Sequence, residues 1–366
     1  MLHDNINVEN GHLTFAGADI VSPGELFTAY EAGFPMERAY FHGNNKTDRD
    51  VAFAMEHRIG YFVADSREEL DAISAEACRR GITQKILLRI TPGIDPHTYA
   101  AVATGKVDSK FGSAIETGAA EAIVAKALPM KNIKLMGFHC HVGSQVFDSD
   151  VYLRATAIML DFAAQMKAKF GYEILELDLG GGYGVRYLEE HPTIDIPANI
   201  RQVGEAFHAQ CKSLGLTPPA VRMEPGRSIV ADAGLTLYTV GTVKRIEGYK
   251  NYVSVDGGMT DNPRFALYQS PYTACIANRM NEETGMRASI VGRCCESGDI
   301  LQENVPVPNS VTRGDIAAVL TTGAYNYAMS MTYNRIPRPA MIMVSGGEDR
   351  LIIRRESYED LCRNEL

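Results

Sequence analysis

Leu175-Glu176-Leu177-Asp178-Leu179-Gly180-Gly181-Gly182-Tyr183-Gly184 joins a short, largely apolar run to a cluster of glycines. A run of this length bounded by turn residues reads as a buried strand. The glycines behind it let backbone N–H groups approach an anion closely, and a following helix adds its dipole. A dinucleotide fingerprint fails, because Tyr187 stands where its third glycine belongs. Two alternatives stay open: a phosphate cradle, or a tight turn between strand and helix.

The same texture continues on both sides. Strands are expected at 18–21, 38–41, 61–64, 86–90, 134–139, 174–179 and 220–224, and helices at 23–32, 48–57, 67–79, 116–127, 151–169 and 200–214. Ser22 followed by Glu25 reads as a capping box opening the first helix. Such alternation predicts βα units around a parallel sheet. Polar and glycine-rich residues gather where the strands end, as at the active face of an α/β barrel. Seven strands are legible, and a closed barrel of this kind has eight. Beyond about 229, short β-patterned runs at 235–246, 252–255, 288–291, 316–320, 340–344 and 351–354 replace the helices. The expectation is a (β/α)8 TIM barrel lacking its first strand over residues 1–232. An all-β domain, a Greek-key barrel or sandwich, is expected over 233–366.

Composition narrows the function. The 366 residues carry 36 Lys+Arg against 45 Asp+Glu, a net charge of −9, which argues against nucleic acid or an anionic membrane as the main partner. No apolar run nears the roughly 18 residues of a membrane span, and Met1-Leu2-His3-Asp4-Asn5 has no secretory character. Seven cysteines without a CxxC pair fit reduced thiols rather than a disulfide framework. A cytoplasmic enzyme is expected.

Three further motifs carry chemistry. His139-Cys140-His141-Val142-Gly143-Ser144 places His-x-His at a strand end, the start of a metal site in some barrels. The later strand ends supply no further His or Asp ligands, so no metal is expected. Strand alternation would point His139 and His141 the same way, one of them as a structural imidazole. Glu224-Pro225-Gly226-Arg227 closes the last barrel strand, either as a capped turn or as a carboxylate facing a ring nitrogen or cation. In the β-domain, Asn262-Pro263-Arg264-Phe265-Ala266-Leu267-Tyr268, Cys294-Cys295-Glu296-Ser297-Gly298-Asp299 and Gly323-Ala324-Tyr325 put a thiol, carboxylates, an arginine and phenols into connections.

Read in order with His42-Gly43-Asn44-Asn45-Lys46, Asp108-Ser109-Lys110-Phe111-Gly112 and Asp256-Gly257-Gly258-Met259, this set resembles the diaminopimelate decarboxylase family. These are fold-type III pyridoxal-phosphate decarboxylases on an alanine-racemase-like barrel. The resemblance runs from about Gly17 to the C-terminus. It implies that pyridoxal 5′-phosphate is the cofactor and that meso-2,6-diaminopimelate becomes L-lysine. His141 would stack on the cofactor ring, and Glu224 would pair with its nitrogen. Ser144, Gly181, Gly182 and the backbone of Pro225, Gly226 and Arg227 would hold the phosphate, with Tyr325 also touching the cofactor. Arg227, Arg264, Tyr268 and Tyr325 would meet the substrate, Arg227, Arg264 and Tyr268 gripping its distal carboxylate. Glu296 would read the distal amino group and Cys295 would donate a proton. The resemblance further implies a homodimer, with Cys295 and Glu296 reaching a neighbouring chain's site.

Those roles suit the residue types. A carboxylate beside a ring nitrogen keeps its proton on, arginine recognises a carboxylate in two-pronged fashion, and a thiol acts as an acid only while protonated. Related decarboxylases of simple diamines carry Asp where Glu296 stands, so the longer acid favours a substrate with a second amino-acid centre. The family also carries a preceding strand with the lysine that forms the Schiff base. The first lysine here is Lys46, so the chain is expected to be N-terminally truncated relative to the family and without that lysine. Alternatives are a non-catalytic homologue acting as dimer partner or regulator, recruitment of Lys46 or Lys110, and decarboxylation of another basic amino acid.

Overall fold

In the computed structural model the described residues are 4–9, 12–95 and 107–366, with side chains from Gly17 onward. They form two compact units, residues 1–184 with 192–228, and residues 185–191 with 229–366.

The first unit is a nearly closed parallel barrel sheet. Seven parallel strands run in the order β2 (His12–Ile20), β3 (Ala39–Phe41), β4 (Tyr61–Ala64), β5 (Gln84–Thr91), β7 (Ile133–His139), β8 (Glu176–Gly181) and β9 (Ala220–Glu224). The short β6 (Ser113–Ala114) pairs with the end of β5. All seven expected strands are present. The structure adds β1 (Asp4–Glu9), antiparallel to β2 and with Cα atoms within 8 Å of β9. The sequence signal for it, Asn10-Gly11 between two strand-like runs, is a strong hairpin dipeptide that the barrel reading passed over.

Six helices cover the sheet: α1 (Pro23–Glu31), α2 (Asp48–Glu56), α3 (Arg67–Arg80), α4 (Ala119–Ala127), α5 (Asp150–Phe170) and α6 (Ile196–Leu214), with a final turn α7 (Gly226–Val230). Ser22 caps α1 by accepting the Glu25 N–H at 3.2 Å, but the Glu25 carboxylate takes the N–H of Val21 rather than of Ser22. Thr47 and Asp50 form the complete reciprocal pair at α2. Strands covered on both sides bury every side chain, as Tyr61-Phe62-Val63-Ala64 does. At the N-terminal end of the strands Glu176 closes the interior, taking the Tyr61 hydroxyl at 2.8 Å and Arg222 Nε at 2.9 Å.

In the second unit one sheet runs β12 (Ala274–Ile276), β15 (Ile316–Leu320), β10 (Leu235–Lys244), β11 (Asn251–Val255), β13 (Thr284–Val291), β14 (Ile300–Pro308), and a separate hairpin pairs β16 (Met341–Ser345) with β17 (Glu348–Ile353). The short helices α8 (Arg264–Tyr268) and α9 (Tyr358–Cys362) complete it. Strand β14 was not expected, because Pro306, Pro308 and Asn304 disguise it. Among the described residues it is an edge strand paired with β13 alone, a place where proline is tolerated, and Asn304 at φ 57° sits in a bulge.

Glycine governs how closely the last barrel strands pack. A Cβ on Gly137 would lie 1.8 Å from the Glu176 carbonyl oxygen of β8. Gly137→Ala should therefore force β7 from β8 and lower stability by about 3 kcal/mol or more. Gly204→Ala on α6, where the new methyl meets nothing within 4 Å, should raise it by about 1 kcal/mol. Thermal melts of the two variants would move in opposite directions; equal melts would contradict the packing.

Candidate active site

Strands β2 to β9 deliver polar side chains to one end of the barrel. Asp19 comes from β2, His42 and Lys46 from beyond β3, Asp65 from the end of β4, and Arg89 from β5. His139 ends β7, Asp178 lies in β8, and Glu224 ends β9. All but Glu224 are under a tenth exposed, and the Glu224 side chain is 13% exposed.

Glu224 is the centre of this group. His139 Nε2 lies 3.0 Å and His42 Nε2 3.5 Å from its Oε1, and His42 Nε2 is also 3.4 Å from Asp19 Oδ1. None of these approaches is aligned as a hydrogen bond, so a deeply buried carboxylate oxygen keeps unspent accepting capacity. Burial, reinforced by the charge on Asp19 and opposed by His42 and Arg89, pushes the Glu224 carboxyl up to about 7. Asp178 is pushed up to about 6 by burial and by Glu224. Both imidazoles are held below their usual range by burial and are neutral at pH 7.

Beside Glu224 lies the glycine turn. Gly181 is the register partner of Glu224, and a Cβ there would sit 1.8 Å from the Glu224 carbonyl oxygen. Gly182, at φ 102°, would drive a Cβ to 2.0 Å from the Gly143 carbonyl oxygen. Only glycine permits this approach. Gly180 donates its N–H to Asp178 Oδ1 at 2.9 Å, and Gly181 donates to His141 Nδ1 at 3.3 Å. Strand β7 ends at His139, so the alternation expected to align it with His141 does not extend that far. His139 approaches Glu224, whereas His141 lies against the glycines. Ser144 Oγ accepts from Arg227 Nη2 at 2.9 Å, and Pro225 and Gly226 continue directly from Glu224 into α7.

Lys46 is committed elsewhere. Its ammonium donates to Glu69 Oε1 at 2.7 Å and to the carbonyls of Val63 and Gly43, each at 2.9 Å. Lys110 is exposed, its ammonium 4.8 Å from the centre of the Phe111 ring.

The second unit carries the remaining expected residues. Arg264 is buried, bonded through Nη1 to the Tyr272 hydroxyl at 2.7 Å and packed over Tyr187. Tyr268 ends α8 half-buried, and Tyr325 is held at φ 67°. Cys295 and Glu296 are exposed, the Cys295 N–H donating to Asn334 Oδ1 at 2.8 Å. Buried Asp299 fixes this loop by accepting the N–H groups of Cys294 and Met259 at 2.7 and 2.6 Å.

Asp19, Arg89 and Asp178 were not singled out from the sequence. Their signal was a charge inside an otherwise apolar strand, as in Leu177-Asp178-Leu179. One donor atom from each of His42, His139 and Glu224 lies within 4.8 Å of the others, a spacing that would admit an ion. Metal-bound imidazoles usually have their second nitrogen braced, and His139 Nδ1 has no hydrogen-bond partner among the described residues. A flat, positively charged nitrogen ring bearing an anionic arm fits the carboxylate and the glycine turn together.

The raised Glu224 carboxyl has a sign that can be checked. From pH 5 to 7 the folded chain retains a proton the unfolded chain has released, so this group draws stability down as pH rises. Glu224→Gln removes that burden, and its melting temperature relative to the unsubstituted chain should climb across this window. A difference constant with pH would contradict the assignment.

Comparison with known proteins shows the family. The model of the pyridoxal-dependent decarboxylase pyridoxal-binding domain matches residues 8–231. Diaminopimelate decarboxylase of Bacillus subtilis (strain 168) is 44% identical over 349 residues, 95% of this chain and 79% of that protein. The Mycobacterium tuberculosis (strain H37Rv) enzyme is 38% identical over 356 residues, 95% of this chain and 80% of its own. The M. jannaschii diaminopimelate decarboxylase solved with L-lysine superposes with a TM-score of 0.85 at 33% identity, covering 96% of this chain and 79% of that one. The Helicobacter pylori enzyme, also with L-lysine, gives 0.86 at 30% identity over 95% of this chain and 84% of its own. Among the described residues no helix is long and apolar enough to cross a membrane. The chain belongs to the diaminopimelate decarboxylase family of pyridoxal-dependent decarboxylases.

Proposed function

We propose that this chain is a carboxy-lyase that converts meso-2,6-diaminopimelate to L-lysine with pyridoxal 5′-phosphate, as a cytoplasmic homodimer. The observation that carries the reading is the convergence of Glu224, His141 and Gly180–Gly181–Gly182 at one end of the barrel, Gly181 bonded to His141 and registered against Glu224.

When bound, pyridoxal phosphate supplies an electron sink for the pair left on the α-carbon as carbon dioxide departs. Glu224 would keep a proton on the ring nitrogen, since an adjacent negative charge favours the cationic form of a base. His141 would cover a ring face, and its accepted bond from Gly181 fixes how it is turned. The phosphate is assigned to Gly181, Gly182, Ser144 and the backbone of Pro225, Gly226 and Arg227. Arg227 already holds the Ser144 hydroxyl, and Tyr325 completes the cofactor contacts.

Arg227, Arg264 and Tyr268 are assigned to the distal carboxylate of the substrate, with Tyr325 also meeting it. Glu296 is assigned to the distal amino group, and Cys295 would give its thiol proton to the carbon that has lost its carboxyl. In this reading Cys295 and Glu296 serve the neighbouring copy, which suits their exposure in the single chain.

The direct test is release of carbon dioxide from meso-diaminopimelate, ornithine, arginine and D-lysine in the presence of pyridoxal phosphate, by the chain extended with the family's preceding strand and its Schiff-base lysine. Diaminopimelate should be preferred. Cys295→Ala should lower kcat by roughly 100-fold or more, the scale of a lost general acid, and Glu296→Asp should weaken diaminopimelate selectively. Equal or faster turnover of another substrate would contradict the assignment. Borohydride reduction of the mixture should leave Lys46 unlabelled, because its ammonium already serves three acceptors; phosphopyridoxyl-Lys46 would overturn that placement.

A further inference from the structure

The mechanism leaves two buried imidazoles without a task. His139 Nε2 and His42 Nε2 approach the same oxygen of Glu224, at 3.0 and 3.5 Å, from β7 and from beyond β3. Their rings stand 5.0 Å apart and 70° from parallel, so they meet Oε1 from different directions. His42 also reaches Asp19 on β2 at 3.4 Å. The series Asp19, His42, Glu224, His139 thus spans the barrel interior from β2 to β9, strands with no ladder between them among the described residues.

We propose that His42 and His139 are positioning residues for Glu224, holding one oxygen of its carboxylate so that its charge stays aimed at the cofactor's ring nitrogen. The inference rests on the reading that Glu224 meets that nitrogen.

The chemistry explains why histidine stands at both places. A lysine or arginine against Glu224 would form an ion pair and spend the negative charge that the ring needs. A neutral imidazole donates one N–H and brings no charge. Burial keeps both rings neutral at pH 7. The other charged groups facing this cluster are Asp178 from β8, Arg89 from β5, Asp65 from β4, and Lys46, itself held by Glu69. None of these supplies Glu224 with a close cationic partner among the described residues. The bonds are not aligned here, and site hydrogen bonds commonly tighten only once the ligand is seated.

The test uses pyridoxine 5′-phosphate, which has no aldehyde and needs no lysine to bind, against its 1-deaza counterpart, in which carbon replaces the ring nitrogen. The ratio of their dissociation constants, from calorimetry at pH 7.5, reports the bond between Glu224 and the ring nitrogen alone. The unsubstituted chain should favour the nitrogen ring by roughly tenfold, the scale of a charge-assisted hydrogen bond. His139→Leu and His42→Leu should bring the ratio toward one and leave affinity for the deaza probe within about twofold, since that probe makes no such bond. His139→Gln, which restores an N–H donor of similar reach, should recover part of the preference and serves where the leucine variant does not fold. Glu224→Gln is the control for the underlying reading. If Glu224→Gln abolishes the preference while the histidine variants keep it, the positioning role is overturned and the reading of Glu224 stands. If the unsubstituted chain shows no preference, that reading fails and the positioning role fails with it.

Discussion

The site depends on backbone approaches in the last barrel strands and the turns after them that are closer than side chains allow. Gly137 meets the Glu176 carbonyl, Gly181 meets the Glu224 carbonyl and Gly182 meets the Gly143 carbonyl, each so near that a single methyl would overlap the oxygen. That contact, a matter of van der Waals radii alone, sets Glu224 beside the glycine turn and brings His141 against Gly181. A wider spacing would separate the carboxylate from the anion-binding backbone, and one small ligand could no longer reach both.

Electrostatics then acts on what packing has placed. A buried carboxylate normally takes a cation or a proton, because desolvation penalises its charged form. Glu224 has two neutral imidazoles within 3.5 Å of one oxygen, with the carboxylates of Asp19 and Asp178 also acting on it. Such an arrangement is costly for the chain alone and well matched to a cationic ring. Lys46 and Glu69 show the opposite solution a few residues away, a buried ion pair whose donors are all spent and which serves the scaffold.

Much of the architecture was legible because the signals were local. Alternating apolar strands and amphipathic helices gave the barrel, and the change of texture after 229 gave the β-domain. What escaped had physical disguises. Pro306 and Pro308 hid β14, and they are tolerated because no described strand pairs with its outer edge. Asn10-Gly11 announced a hairpin that the count of parallel strands ignored. Within the site, the glycine turn and the Glu224 motif stood out as strings, whereas Asp19, His42 and Asp178 gain meaning only when the barrel curls their strands together. His139 and His141 show the limit of periodicity, since alternation stops where the strand stops.

The central claim is that Glu224 and the glycine turn grip one vitamin B6 ring between them. A crystal structure of the chain grown with pyridoxal 5′-phosphate tests it most directly. The ring nitrogen is expected at about 2.8 Å from a Glu224 carboxylate oxygen, with the phosphate against Gly181 and Gly182. A cofactor found with its ring turned away from Glu224, or its phosphate on another loop, would contradict it.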